Sequence, residues 1–146
     1  DYISSTDILM NGVYWEPRIP RLFEKDLVSL ENFRIQTIAD ITDDTNGSVP
    51  INVGDQQIGD PVFGVDRKTL CKTEPYLANS VDIMAVGNLP NELPRDASRY
   101  FGEQLIKYVL SDLVNNGSLV IEKATLVKAG QLTEHYDYLR DYAGFD

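Results

Sequence analysis

The sequence predicts an α/β fold built on a narrow parallel sheet. Short apolar, β-rich runs recur at residues 7–14, 34–41 and 81–86, a helical segment lies between the first two, and one long amphipathic helix follows the third. Strands alternating with helices imply parallel pairing. Three strands make too narrow a sheet for a complete doubly wound domain, which points to part of something longer.

The first run, Ile8-Leu9-Met10, is near-continuous rather than alternating, as buried parallel strands are. The loop Glu16-Pro17-Arg18-Ile19-Pro20-Arg21 is too rich in proline to be helix interior. Residues 24–30 have helical spacing, with Leu27 and Leu30 three apart and an acidic first turn that suits the helix dipole. Residues 34–41 are rich in β-branched side chains and run into Thr42-Asp43-Asp44-Thr45-Asn46-Gly47-Ser48, a dense cluster of turn formers. Residues 49–77, broken by Gly54, Gly59, Gly64, Pro50, Pro61 and Pro75, read as an irregular connection with a short strand near 62–65.

The third run ends in Gly87-Asn88-Leu89-Pro90-Asn91-Glu92-Leu93-Pro94, whose second proline suits the start of a helix. Tyr100, Phe101, Leu105, Tyr108, Val109 and Leu113 then have the spacing of a buried stripe, and Asn115-Asn116-Gly117 is the stop. The tail predicts a hairpin, 120–127 against the residues after Ala129-Gly130, and a short polar helix over 134–142.

Composition narrows the function. The 146 residues carry 13 Lys+Arg against 23 Asp+Glu, a net charge of −10, which disfavours binding to nucleic acid. Acidity is no obstacle to a nucleotide, because backbone N–H groups at strand and helix ends can hold one. The single Cys71 excludes an intramolecular disulfide framework and a cysteine-rich zinc site. No apolar run approaches membrane-spanning length. A reducing, cytoplasmic setting is the default expectation. The chain opens on Asp1 without a signal peptide, which reads as processing or as a piece of something longer.

Ligands of a parallel sheet bind at the carboxyl ends of its strands. Here those ends are the Val13-Tyr14-Trp15 corner, the turn from Asp40 to Gly47, and Gly87-Asn88-Leu89-Pro90. The middle turn, with Asp40, Asp43, Asp44, Thr42 and Thr45, reads either as a ligand-facing group suited to hydroxyls or a cationic ring, or as a solvated Asx turn. It fails as a calcium loop, since its best register lacks the first carboxylate and places Val53 where the bidentate Glu belongs. His135 reads as a surface histidine and Cys71 as a buried or bystander thiol. No G-x-G-x-x-G, phosphate-loop or nucleophile-elbow signature occurs.

Three stretches, taken together and in this order, carry a resemblance: Asp7-Ile8-Leu9-Met10-Asn11-Gly12-Val13-Tyr14-Trp15, Ala39-Asp40-Ile41-Thr42-Asp43-Asp44-Thr45, and Asn88-Leu89-Pro90-Asn91-Glu92-Leu93-Pro94-Arg95-Asp96-Ala97-Ser98. With them the chain resembles the C-terminal part of saccharopine dehydrogenases and lysine–ketoglutarate reductases, in the alanine dehydrogenase and transhydrogenase superfamily. The tail from Leu132 to Leu139 looks like the end of the reductase domain. The third stretch is the most specific.

The resemblance implies a partial Rossmann-like sheet over residues 1–93, the C-terminal half of the cofactor domain. Residues 94–146 would be a long helix and tail returning to the substrate domain. It implies NAD or NADP as cofactor, with Val13, Tyr14, Ile41, Asp44, Asn88 and Leu89 lining its cleft. Asp44 would lie near the nicotinamide ribose and the reacting carbon, with Asp43 as a one-residue alternative. It implies an amino-acid and 2-oxoacid substrate, a missing N-terminal half as partner, and a homo-oligomer; neither nucleic acid nor membrane is expected. Thr45-Asn46-Gly47 stands where alanine dehydrogenases carry Gly-Gly, closer to the saccharopine branch. The family's glycine-rich turn and Lys/His pair would lie upstream, so neither role passes to Lys123 or His135. The competing readings are a stand-alone, non-catalytic α/β binding or assembly module and an alanine-dehydrogenase-like fragment.

Overall fold

The computed structural model describes residues 2–115 and 117–144, and the chain divides into two compact units, Asp1–Glu92 and Leu93–Asp146. The first unit holds strands β1 (Ile8–Asn11), β2 (Thr37–Asp40), β3 (Val62–Asp66), β4 (Lys72–Thr73) and β5 (Ser80–Met84) in one sheet of order β1-β2-β5-β3-β4. β1, β2 and β5 are parallel, with Ile8 opposite Thr37 and Thr37 opposite Asp82. β3 is antiparallel to both β5 and β4. The fold is α/β, its sheet a parallel trio extended by an antiparallel pair.

Two of the parallel strands stop sooner than their apolar runs, and side chains stop them. Asn11 Oδ1 accepts from the Val13 N–H at 3.1 Å, and Asp40 Oδ1 accepts from the Asp43 N–H at 3.2 Å. Each is a side-chain turn that takes the backbone out of the ladder. The helix expected over 24–30 is a five-residue 3-10 helix, Lys25–Ser29. Its flanking bonds, Leu27 N–H to Glu24 O and Leu30 N–H to Leu27 O, both 3.1 Å, have the three-residue period that the leucine spacing reflects.

The core of this unit is one cluster. Ile38, Val81, Ile83, Phe63 and Val65 of the sheet pack with Phe23, Val28, Phe33, Val49 and Ile51 of the connections. Phe23 and Phe33 meet edge to face, centroids 5.2 Å apart. The opposite face is bare at β1, where Ile8 and Met10 are 70% and 74% exposed. The expectation that the apolar run of β1 is buried therefore holds on one face only, because only one face has a covering layer.

In the second unit, α1 (Pro94–Leu105) begins with proline in its first turn and passes through a π-helical turn, Ile106–Leu110, into α2 (Ser111–Val114). The stripe predicted to be buried is exposed, Phe101 by 65% for instance, and none of the described residues of these helices is buried. The spacing states which face wants cover; no second layer within this unit supplies it. Asn116 lies outside the described residues, and Gly117, at φ +92°, closes the helix by donating to Asp112 O at 2.8 Å. Where a strand was expected from residue 120, α3 (Leu119–Ala124) forms instead, capped by Ser118 Oγ, which accepts from the Val120 N–H at 3.2 Å. The hairpin comes later, as β6 (Val127–Lys128) and β7 (Gln131–Leu132). Ala129 and Gly130 hinge it at φ +51° and +79°, the two positive values of a type I′ turn. A 3-10 helix, Glu134–Leu139, and α4 (Arg140–Ala143) follow.

Gly64 shows how tightly β3 meets its edge neighbour. A Cβ there would lie 2.3 Å from the Glu74 carbonyl oxygen and 3.0 Å from Thr73 Cγ2. Gly64→Ala is expected to displace β4 and destabilise the unit by about 1–3 kcal/mol, read as a lower urea midpoint at unchanged slope.

Candidate functional site

The parallel trio brings the carboxyl ends of β1, β2 and β5 to one edge. Beyond the last strand residues, the Ile41 N–H donates to Asn11 O at 2.8 Å and Thr42 Oγ1 donates to Val13 O at 2.9 Å. Beneath them lies a buried polar group. Asp40, 1% exposed, accepts from Asn11 Nδ2 on one oxygen (2.7 Å) and from Asn52 Nδ2 on the other (2.9 Å). Asn11 Nδ2 also donates to Ser48 Oγ at 2.8 Å. The far ends of both amides hold backbone: Asn11 Oδ1 takes the Val13 N–H, and Asn52 Oδ1 the Gly54 N–H at 2.8 Å. Gly54, at φ +129°, has a conformation that a side chain would oppose. One carboxylate thus fixes three loops.

Above it sits Asp43, in the left-handed region at φ +56°. Its Oδ1 accepts from Asn52 Nδ2 at 3.4 Å. Its Oδ2 and that of Asp55 flank Gly87, coming within 3.2 and 3.3 Å of where a Cβ would stand. Partial burial raises the Asp43 carboxyl above its ordinary 3.8; the Asn52 hydrogen bond opposes this, and Asp55, Asp40 and Asp44 reinforce it. Asp44 is exposed and opens a turn closed by the Gly47 N–H on its carbonyl at 2.9 Å, with Asn46 at φ +50°.

The edge therefore joins Val13 and Ile41, both exposed, to Asp43 and Gly87, with Asp44 one residue on and Asn88, at φ +54°, just beyond Gly87. Tyr14, 75% exposed, and Leu89, the first residue of a 3-10 helix, take no part in the polar network. Sequence reasoning missed Asn11, Ser48, Asn52 and Asp55 as members of the site. The available signal was Asn52-x-Gly54, an amide placed to cap a turn. Among the described residues no group of three or more His, Cys, Asp or Glu is arranged to hold a metal ion. Cys71 is exposed rather than buried, and His135 lies exposed in the second unit.

The loop after β1 adds a cation. Arg21 lies over the Trp15 ring at 5.2 Å and donates through Nη1 to Asn46 Oδ1 at 2.8 Å, while Trp15 Nε1 donates to Ile19 O at 2.8 Å.

No family model matches the chain. Curated proteins do. The mitochondrial alpha-aminoadipic semialdehyde synthase of Mus musculus is 28% identical over 96% of the chain and 18% of its own length. The alpha-aminoadipic semialdehyde synthase of Arabidopsis thaliana is 30% identical over 92% of the chain and 13% of its own length. The NAD(+)-dependent, L-lysine-forming saccharopine dehydrogenase of Candida albicans is 28% identical over 74% of the chain and 27% of its own length. The chain thus resembles the saccharopine dehydrogenase and lysine–ketoglutarate reductase family along most of its length, and spans under a third of each of these relatives.

Asp40→Ala would take from each of two buried amides its shorter acceptor contact, and from the Asp43 N–H its acceptor, and is expected to cost about 3 kcal/mol or more, whereas Asp40→Asn, which keeps one acceptor oxygen, should cost less. Urea titrations of both variants would measure the order. Asp43 makes a pH-dependent prediction. Its folded pKa lies above the unfolded value of 3.8, so its contribution to stability is full below that value and is lost as pH rises through the folded pKa. Asn also suits a left-handed backbone. Asp43→Asn is therefore expected to match the parent at low pH and to exceed it at neutral pH, as read from urea midpoints across the acid range.

Proposed function

We propose that this chain is part of a nicotinamide-dependent oxidoreductase acting on the CH–NH bond of an amino acid, and that its carboxyl edge lines the cofactor cleft. The observation that carries this reading is the convergence at one sheet edge of the Asp43-Asp44 turn and Gly87-Asn88, and the 28% identity to the mouse synthase over 96% of the chain supports it. The name of the Candida albicans relative points to saccharopine and lysine as substrates, and the family resemblance adds 2-oxoglutarate. On this reading residues 1–93 are the C-terminal half of a Rossmann-like domain and residues 94–146 return toward the substrate domain. The protein would work in the cytoplasm, as a homo-oligomer, although three of its mammalian relatives are mitochondrial enzymes by name.

The residues present suit the nicotinamide riboside end of NAD or NADP. Carboxylates of Asp43, Asp44 and Asp55 can accept from ribose hydroxyls and favour a cationic ring, and Val13 and Ile41 offer apolar surface beside them. Gly87 lacks the Cβ that would fill the gap between Asp43 and Asp55. Among Asp43, Asp44 and Asp55 themselves the same acidity does not suit a pyrophosphate, and the chain has no glycine-rich turn of the usual kind to hold one. The cofactor supplies hydride transfer. This chain's part is to bind and orient it, with the acid–base groups for imine chemistry lying elsewhere in the parent.

Purified full-length parent should turn over saccharopine, or lysine plus 2-oxoglutarate, with NAD or NADP; a folded protein inactive in every combination would overturn the reading. The isolated 146-residue chain should have no turnover. Within the parent, Asp44→Ala is expected to weaken cofactor binding or slow hydride transfer by about tenfold, or 1.4 kcal/mol, with Asp43→Ala doing less. Unchanged kinetics in both variants alongside lowered stability would make Asp44 a turn residue only.

A further inference from the structure

The first unit holds four arginines, and three have evident structural employment. Arg18 pairs with Glu16 and Arg34 with Asp7. Arg67 donates to the carbonyls of Phe33 and Ile35 at 2.7 and 2.6 Å. Arg67, which also lies over the Phe33 ring, likewise has only neutral partners, but both of its bonds brace backbone; Arg21 braces none, its partners being the face of an indole and a side-chain amide oxygen. Among the described residues no ion pair ties it to a carboxylate, although 23 Asp and Glu face 13 Lys and Arg in the chain. Its charge is held in place without being cancelled.

Nor is Arg21 needed to hold its partners. Trp15 is fixed by its own bond to Ile19 O. Asn46 is fixed through its backbone, whose N–H donates to Asn52 O at 2.8 Å, and the turn around it is closed by Gly47. The next residue, Leu22, donates its N–H to Ser48 O at 2.9 Å, which pins the Arg21 backbone to the buried Asp40 network. The guanidinium lines a concavity with Trp15, Pro17, Arg18, Pro20 and Glu24. Of its five N–H donors one has a described acceptor. A planar fork held flat on an aromatic ring loses little freedom on taking an oxyanion, which makes it well suited to recognise carboxylate or phosphate.

We infer that Arg21 is an anion-recognition residue of the carboxyl edge, taking a carboxylate or phosphate oxygen of a ligand docked against the turn after β2. This deepens the reading of the edge as a ligand cleft and rests on it. Across the edge, Asp43 and Asp44 present the opposite charge, so a ligand carrying an anion at one end and hydroxyl or cationic groups at the other is bound in one orientation. The anion is either a substrate carboxylate or a cofactor phosphate.

Trp15 is the single tryptophan of the chain, so its fluorescence reports the occupancy of Arg21 directly. The 146-residue chain would be titrated separately with 2-oxoglutarate and with inorganic pyrophosphate, as the parent sequence, Arg21→Met and Arg21→Lys. The expected result is a saturable response to one probe, weakened about tenfold in Arg21→Met and less in Arg21→Lys, which keeps the charge but not the fork. A response to 2-oxoglutarate identifies the carboxylate source, and a response to pyrophosphate the phosphate source. No saturable response to either probe, or equal affinity in the parent and both variants, overturns the inference. Should Arg21→Met fail to fold, Arg21→Lys against the parent decides alone. A parent enzyme without dehydrogenase activity whose Arg21 still governs anion binding would sink the proposed reaction and keep this site. An active enzyme with Arg21-independent anion binding would do the reverse.

Discussion

Asp40 is an ionisable side chain with almost no access to water, and the carboxyl edge of the sheet is organised around it. Three N–H donors reach its two oxygens, from Asn11, Asn52 and the Asp43 backbone. A buried carboxylate left short of donors is costly; here the donors come from three separate segments, so the carboxylate's demand becomes a constraint on all of them. It also keys the strand register. Moving β1 by one residue would set Met10 or Gly12 opposite Asp40 in place of Asn11 and leave the carboxylate short of an amide.

From that anchor the geometry of the edge follows by short steps. The Asn11 amide stops β1 and aims the chain at Val13; the Asn52 amide shapes the turn through Gly54 toward Asp55. Asp43 is carried over the top in a left-handed conformation, with its carboxylate toward Asn52 and Gly87. An acidic rim on a polar, fully partnered floor, with one guanidinium stacked on an indole at its side, is a surface that would sort ligands by where they carry charge.

The α/β class was legible in the sequence because the β-branched and apolar runs around Ile38 and Ile83 are strong signals. The turns were legible too, since Asp43-Asp44, Asn46-Gly47 and Ala129-Gly130 name their own backbone conformations. β4 was not: two residues, Lys72 and Thr73, have no period to read. The polar floor was hidden for a different reason. Asn11 sits inside an apolar run and Asn52 inside a Gly- and Pro-rich stretch, and nothing local marks them as partners of Asp40, 29 and 12 residues away. The exposed helix stripe failed in the other direction. Spacing at Phe101 and Leu105 encodes a wish for cover, and sequence pattern alone does not state where the cover comes from.

The non-local wiring of the edge also has a kinetic meaning. Asn11 finds Asp40 across 29 residues and Ser48 across 37, and β1 and β5 reach β2 through long connections. Such contacts close large loops before any pairing rewards them, so they form late and together. The floor of the edge then has no existence apart from the folded sheet, since no single segment can build it. A ligand that seats on it binds the native state and not the open chain, and so adds to the unfolding free energy in proportion to the logarithm of its concentration. Occupancy of this edge and the stability of the fold are linked parts of one equilibrium.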